Sequence, residues 1–92
     1  MKTKELNLKT VQELYEAKKY DQLIIKAEEL IKINPNELLL YILSGISYYN
    51  QNKLDKAKIK FERAIKIDPN YAESYNNLGV IYNEQGILNE AY

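Results

Sequence analysis

Ile31-Lys32-Ile33-Asn34-Pro35-Asn36 returns as Ile65-Lys66-Ile67-Asp68-Pro69-Asn70, and the interval from Pro35 to Pro69 is 34 residues. A fixed period of that size marks a stacked repeat, in which each unit is too small to bury its own core and leans on its neighbours. Shifting the chain against itself carries the match outward. Tyr20-Asp21 falls on Leu54-Asp55, Ile25-Lys26 on Ile59-Lys60, and Glu28 on Glu62. One shift further, Tyr41, Gly45, Tyr48, Gln51, Leu54 and Ala57 fall on Tyr75, Gly79, Tyr82, Gln85, Leu88 and Ala91.

The middle unit, about 38–71, reads as two antiparallel helices. Tyr41, Gly45, Tyr48 and Tyr49 recur at helical spacings, as do Leu54, Ala57, Phe61, Ala64 and Ile65. Gln51-Asn52-Lys53 interrupts the two stripes as a turn. Asp68-Pro69-Asn70 ends the second helix, because proline lacks a donor and restricts the residue before it. Gly45 and Ala57 are placed for a close crossing, and the recurrence at Gly79 suggests that packing offsets the helix penalty of glycine there too. In the first unit, about 4–37, Leu23 stands where Ala57 does and Ala27 where Phe61 does, a paired swap that conserves volume. Its first helix is degenerate. Asn7, Thr10, Val11 and Leu14 hold the repeat positions, and of these only Leu14 reads as a packing residue. The third unit, about 72–92, is truncated.

These residues resemble the tetratricopeptide repeat. The middle unit supplies Tyr41, Ser44-Gly45, Tyr48, Ala57, Phe61, Ala64 and Pro69; the last supplies Tyr75, Leu78-Gly79, Tyr82 and Ala91. The resemblance implies an all-α solenoid of tandem helix pairs in a right-handed superhelix. It also implies a module that binds a peptide or helix of a partner protein.

Composition narrows the remaining classes. The chain has 92 residues with 13 basic and 13 acidic side chains, interspersed, so no basic face proposes nucleic acid. Cysteine and histidine are absent, which removes disulfides, thiol chemistry and the commonest zinc ligands. The N-terminus lacks an apolar signal core, and the apolar run Leu38 to Leu43 is too short to span a bilayer. The cytoplasm is the default location, with a secreted fragment that has lost its signal as the alternative.

No catalytic constellation, metal cluster or cofactor motif stands out, and no enzyme is expected. Ser44, Ser47 and Ser74 lie in apolar helical segments with no activating base in view. Glu13, Glu16, Glu28 and Glu29 sit among lysines on solvated helical faces. Tyr41, Tyr48, Tyr75 and Tyr82 hold packing positions and read as core. Gly79 and Gly86 make no phosphate loop, since no strand precedes them and no Lys-Ser/Thr follows.

In the resembled family the first helix of each pair lines a concave groove. Carried over, this assigns Leu8, Gln12 and Tyr15 from the first unit and Leu39, Ile42, Leu43, Ile46 and Tyr49 from the second. The third contributes Glu73, Asn76, Asn77, Val80 and Asn83. A carboxylate clamp for acidic chaperone tails is excluded: Leu8, Gln12, Leu43, Glu73 and Asn77 offer no cation, and Glu73 repels a carboxylate. An asparagine ladder is not formed either, since Lys9 and Leu43 precede Asn77 at its rungs. The segment from Leu38 to Tyr49 is apolar nearly all round, more than one packing stripe needs. The surplus Leu39, Ile42, Leu43 and Ile46 is expected to open onto the groove as an apolar patch, either free for a partner or covered by another part of the parent protein, by a capping helix or by a second copy.

The last unit stops at Ile87-Leu88-Asn89-Glu90-Ala91-Tyr92, about one turn into its second helix. Either the chain is a piece of a longer array, such as an adaptor appended to a larger protein, or the last helix runs straight on and pairs with a second chain. Gly86 favours a turn over the straight helix. Self-association, through the groove or through this end, is thus the alternative to a peptide-binding role.

Overall fold

The computed structural model describes the backbone of residues 3–90 and the side chains of residues 8–86. It contains five helices: α1 (Thr3–Glu16), α2 (Tyr20–Ile33), α3 (Leu38–Asn50), α4 (Leu54–Ile67) and α5 (Ala72–Glu90). They stack into an elongated body of 51 × 27 × 19 Å.

The 34-residue period of the sequence returns in the backbone hydrogen bonds. In the turn after α1, Lys18 N donates to Tyr15 O at 3.0 Å and Lys19 N to Leu14 O at 2.9 Å. After α3, Asn52 N donates to Tyr49 O and Lys53 N to Tyr48 O, both at 2.9 Å. Each turn places one residue in the left-handed region, Lys18 at φ 59° and Asn52 at φ 63°. That conformation suits asparagine and costs lysine more. The proline turns repeat as well: Asn34 N bonds to Leu30 O at 2.7 Å, and Asp68 N to Ala64 O at 2.9 Å.

The core has two parts joined through α3. One gathers Val11, Leu23, Ala27, Leu30, Leu40 and Leu43. The other gathers Tyr41, Ile42, Ala57, Phe61, Ala64, Leu78 and Ile81. α3 touches α1, α2, α4 and α5, so it buries most of its circumference, with Ile46 and Tyr49 left half-buried and Asn50 exposed. This is why it is apolar nearly all round. Ile42 is 3% exposed and Leu43 6%, so neither opens onto a free surface as the sequence led us to expect. The surplus over one stripe is consumed by four neighbours.

Gly45 is where the crossing is closest. A Cβ added there would lie 2.8 Å from Phe61 Cε1 and Cζ, inside contact distance. In the first unit, Val11 takes the place of Gly45 and is fully buried, while Leu14 is only half-buried. The expectation that Leu14 alone packs there is therefore corrected. The size exchange thus extends to a third repeat position: Val11 fills the space that the small Ala27 leaves, and Gly45 makes room for Phe61.

α5 departs from the pattern. Its helix runs through Gly86 to Glu90, so the expected turn does not form. Continuing α5 through Gly86 adds one backbone bond per residue, where a turn would interrupt the ladder. A Cβ added at Gly79 meets no atom within 4 Å among the described residues, against the expectation that packing offsets its penalty. Tyr75 and Tyr82 are 48% and 50% exposed and are not core. Tyr41 is buried, as expected, and Tyr48 half-buried. The side chains of Asn7 and Leu88, and both Ala91 and Tyr92, lie outside the described residues.

Candidate functional site

Three of the five helices, α1, α3 and α5, turn one side toward a common cleft of about 290 Å³. Tyr15 comes from α1; Ile46, Tyr49 and Asn50 from α3; Glu73, Asn77 and Val80 from α5. Phe61 reaches it from α4. Glu73, Asn77 and Val80 share one face of α5 because residues three, four and seven apart line up on a helix.

The cleft is lined by both apolar and polar side chains. Ile46 and Tyr49 are half-buried against the second core part, and Val80 is 47% exposed. The Tyr49 hydroxyl donates to Glu84 Oε2, which ties α3 to α5. That bond, with lesser help from burial and the Glu84 charge, holds the Tyr49 phenol above its ordinary range near 10.0. Tyr71 OH donates to Glu73 Oε1 at 2.9 Å, and its phenol is raised chiefly by the same kind of bond. Both phenols stay protonated at neutral pH. The Asn77 amide nitrogen is shielded from solvent yet bonded to no group among the described residues. A sheltered donor of this kind is costly to leave unmatched.

The cleft thus brings together Tyr15, Ile46, Tyr49, Glu73, Asn77 and Val80 of the residues singled out from sequence. Ile42 and Leu43 are withdrawn into the core. Leu8 and Leu39 pack against the first core part, and Gln12, Asn76 and Asn83 are exposed outside the cleft. Asn50 and Phe61 join it without having been singled out. Asn50 sits one position past the last apolar residue of α3, a place where nothing in the sequence separates a cleft residue from an ordinary helix end.

Two of the three serines bond back to their own helix, while Ser74 Oγ has no hydrogen-bond partner among the described residues. Ser44 Oγ donates to Leu40 O at 2.7 Å and Ser47 Oγ to Leu43 O at 2.8 Å, each within its own helix. Ser74 is fully buried. No group of metal-ligating side chains is present among the described residues. No helix there is long and apolar enough to cross a membrane.

The repeats are stitched by a contact that itself repeats. Gln51 Nε2 donates to Asp21 Oδ1, and Gln85 Nε2 donates to Asp55 Oδ1 at 3.0 Å. Each bond links a first helix to the second helix of the preceding pair. Lys60 Nζ adds an ion pair to Glu28 Oε2 at 2.7 Å between α4 and α2.

The family described as TPR repeat matches residues 45–86. Two solved structures share the fold. One MamA charge-reversal mutant superposes with a TM-score of 0.84 at 19% identity, covering 99% of this chain and 66% of that one. A second MamA mutant gives 0.78 at 21% identity, covering 88% of this chain and 44% of that one. This chain therefore spans at most about two thirds of the length of these neighbours. No curated protein matches it significantly. Residues 45–86 thus match the tetratricopeptide repeat, and the turn hydrogen bonds of the all-helical fold recur with the same period.

Proposed function

We propose that the cleft between α1, α3 and α5 receives an apolar segment of a partner protein, and that the chain is a binding module without catalytic activity. The observation that carries this reading is the presence of Ile46, Tyr49 and Val80 in one concavity with a shielded, unmatched Asn77 amide. An apolar side chain of the partner packs against the first three. The partner's backbone carbonyl accepts from Asn77, which gives the amide the bond it lacks. Glu73 in the same lining favours a basic residue beside the apolar anchor.

A displayed random-peptide library selected on this chain tests the reading. Selected peptides should share an apolar anchor next to Lys or Arg. Val80→Glu, at an exposed position, should weaken them at least about tenfold, the loss of one well-placed contact, and leave the circular dichroism spectrum unchanged. Peptides that bind the Val80→Glu chain equally well would show that the cleft is not the site.

A further inference from the structure

The outward side of α5 alternates large and small residues: Tyr75, Gly79, Tyr82, Gly86. Spacings of four, three and four keep them on one line along the helix. Both tyrosines are about half exposed, at 48% and 50%, and a Cβ at either glycine would meet nothing within 4 Å. The line contains no charged residue of its own, and Asn76 and Asn83 beside it are neutral; at its flank Tyr82 meets α4, with Lys58 Nζ 5.6 Å from the ring centre and Glu62 Oε2 accepting from the hydroxyl at 3.4 Å. In α3 the equivalent line, Tyr41, Gly45 and Tyr48, is where α4 docks and sets the Phe61 ring on Gly45. The cleft residues Glu73, Asn77 and Val80 lie on a different side of α5, since each residue advances about 100° around a helix.

We propose that a second copy of this chain covers this face, as an antiparallel pair of α5 helices about a two-fold axis passing between Val80 and Ile81. The sequence is self-complementary in that one register. Tyr82 falls opposite the partner's Gly79, and Tyr75 opposite the partner's Gly86, with the same centre for both pairs. Each ring enters the space beside a glycine, as Phe61 does at Gly45. A parallel, in-register pair would instead set ring on ring and leave the glycines facing each other. The symmetric arrangement is isologous and closes at two copies. Its contact is small beside the roughly 800 Å² per partner of a standard interface, so the dimer is weak and concentration-dependent.

Sedimentation equilibrium from about 5 µM to about 1 mM, a range that brackets weak association, tests it. The mass should climb from 10.8 kDa toward twice that value. Gly79→Leu fills open space in the single chain, so it should hold the mass at 10.8 kDa with helicity and melting temperature kept or raised. Orientation is read by cysteine cross-linking in a chain that has none. A mixture of Tyr75→Cys and Gly86→Cys chains should form a disulfide. Tyr75→Cys alone should not, because its two copies would lie about 16 Å apart along the axis, against a limit of about 7 Å between Cα atoms. A wild-type monomer across the range, a dimer that survives Gly79→Leu, or self-cross-linking by Tyr75→Cys would each overturn the proposal.

Discussion

Gly45 and Gly79 hold the same place in successive units and should respond to alanine with opposite signs. At Gly45 the new methyl would lie 2.8 Å from two carbons of the Phe61 ring and 3.1 Å from a third. Phe61 is 1% exposed and shares its core part with Ile42, Ala57, Leu78 and Ile81, so the ring has nowhere to go without displacing them. Overpacking of this kind costs about 1–3 kcal/mol. The gain in helix propensity returns about 1 kcal/mol. The net expectation is a loss of roughly 0–2 kcal/mol, or up to about 16 °C in melting temperature for a domain of this size. At Gly79 no atom lies within 4 Å, so only the propensity gain acts and Gly79→Ala should stabilise by about 1 kcal/mol. Urea titration followed by circular dichroism at low micromolar concentration reads both. Gly45→Ala as stable as Gly79→Ala would mean that Phe61 is not pressed against α3, and the volume argument would fail.

The same argument can be made constructive. Phe61→Ala alone should cost about 3–5 kcal/mol, because it leaves a cavity in the centre of the stack. Adding Gly45→Val converts the pair to the Val11/Ala27 combination that the first unit already uses. A double-mutant cycle should then show favourable coupling of at least about 1 kcal/mol between the two sites. Absence of coupling would mean that Val11 and Ala27 are not a compensated pair.

Lys18→Gly should stabilise by up to about 1 kcal/mol, since the turn holds a lysine in the left-handed region at φ 59°; thermal melts check it, and a loss would show that the lysine side chain contributes more than its backbone costs. Ile42→Lys should unfold the chain or lower stability by more than about 3 kcal/mol, because a charge would enter the core part shared by α3, α4 and α5; native-like helicity in that variant would place Ile42 at the surface after all. In a spectrophotometric tyrosine titration, Tyr48, Tyr49 and Tyr71 should ionise above the ordinary phenol value of 10.0. Glu84→Gln should bring Tyr49 down toward 10.0. The linkage sign follows: with the folded pKa raised, the Tyr49 contribution is whole below about pH 10 and is lost as pH rises through the folded value. An unchanged titration in Glu84→Gln would remove the bond from the account.

The period was legible because turn and cap chemistry is local. Pro35 and Pro69 end helices wherever they stand, and Asn52 suits its left-handed turn without help from distant residues. Burial was less legible because it depends on how many neighbours an element has. The apolar girth of α3 fits two readings equally well in sequence, an open patch or a helix surrounded on all sides. Counting the helices that touch α3 decides it, and Ile42 and Leu43 go inside. Val11 was passed over for a related reason. Its match at Gly45 suggests nothing large, and only the reduction of Phe61 to Ala27 across the crossing makes room for valine.

The last helix shows how far position in a stack overrides residue type. Tyr41 and Tyr75 are the same residue at the same repeat position, yet one is 5% exposed and the other 48%. Gly45 is confined by Phe61 and Gly79 by nothing. Gly86 stands where Asn52 makes its turn, and glycine is the residue best able to adopt that conformation, but α5 runs through it as helix. In each pair the local preference is met or improved in the last unit; what differs is the helix lying alongside. A returning helix stabilises the turn at Asn52 because it brings Ala57, Phe61 and Ala64 against α3. At Gly86 the turn would gain no such contacts from the described residues, and the straight helix keeps its backbone bonds. It follows that whatever packs on Tyr75, Gly79 and Tyr82 should decide the conformation at Gly86. A second α5 laid antiparallel uses Gly86 as a space for a ring and so favours the straight helix. A helix returning on the α4 pattern would favour the turn. The backbone amide exchange rate at Gly86, measured as a function of protein concentration, separates these directly: slowing as the mass rises ties the straight helix to the dimer.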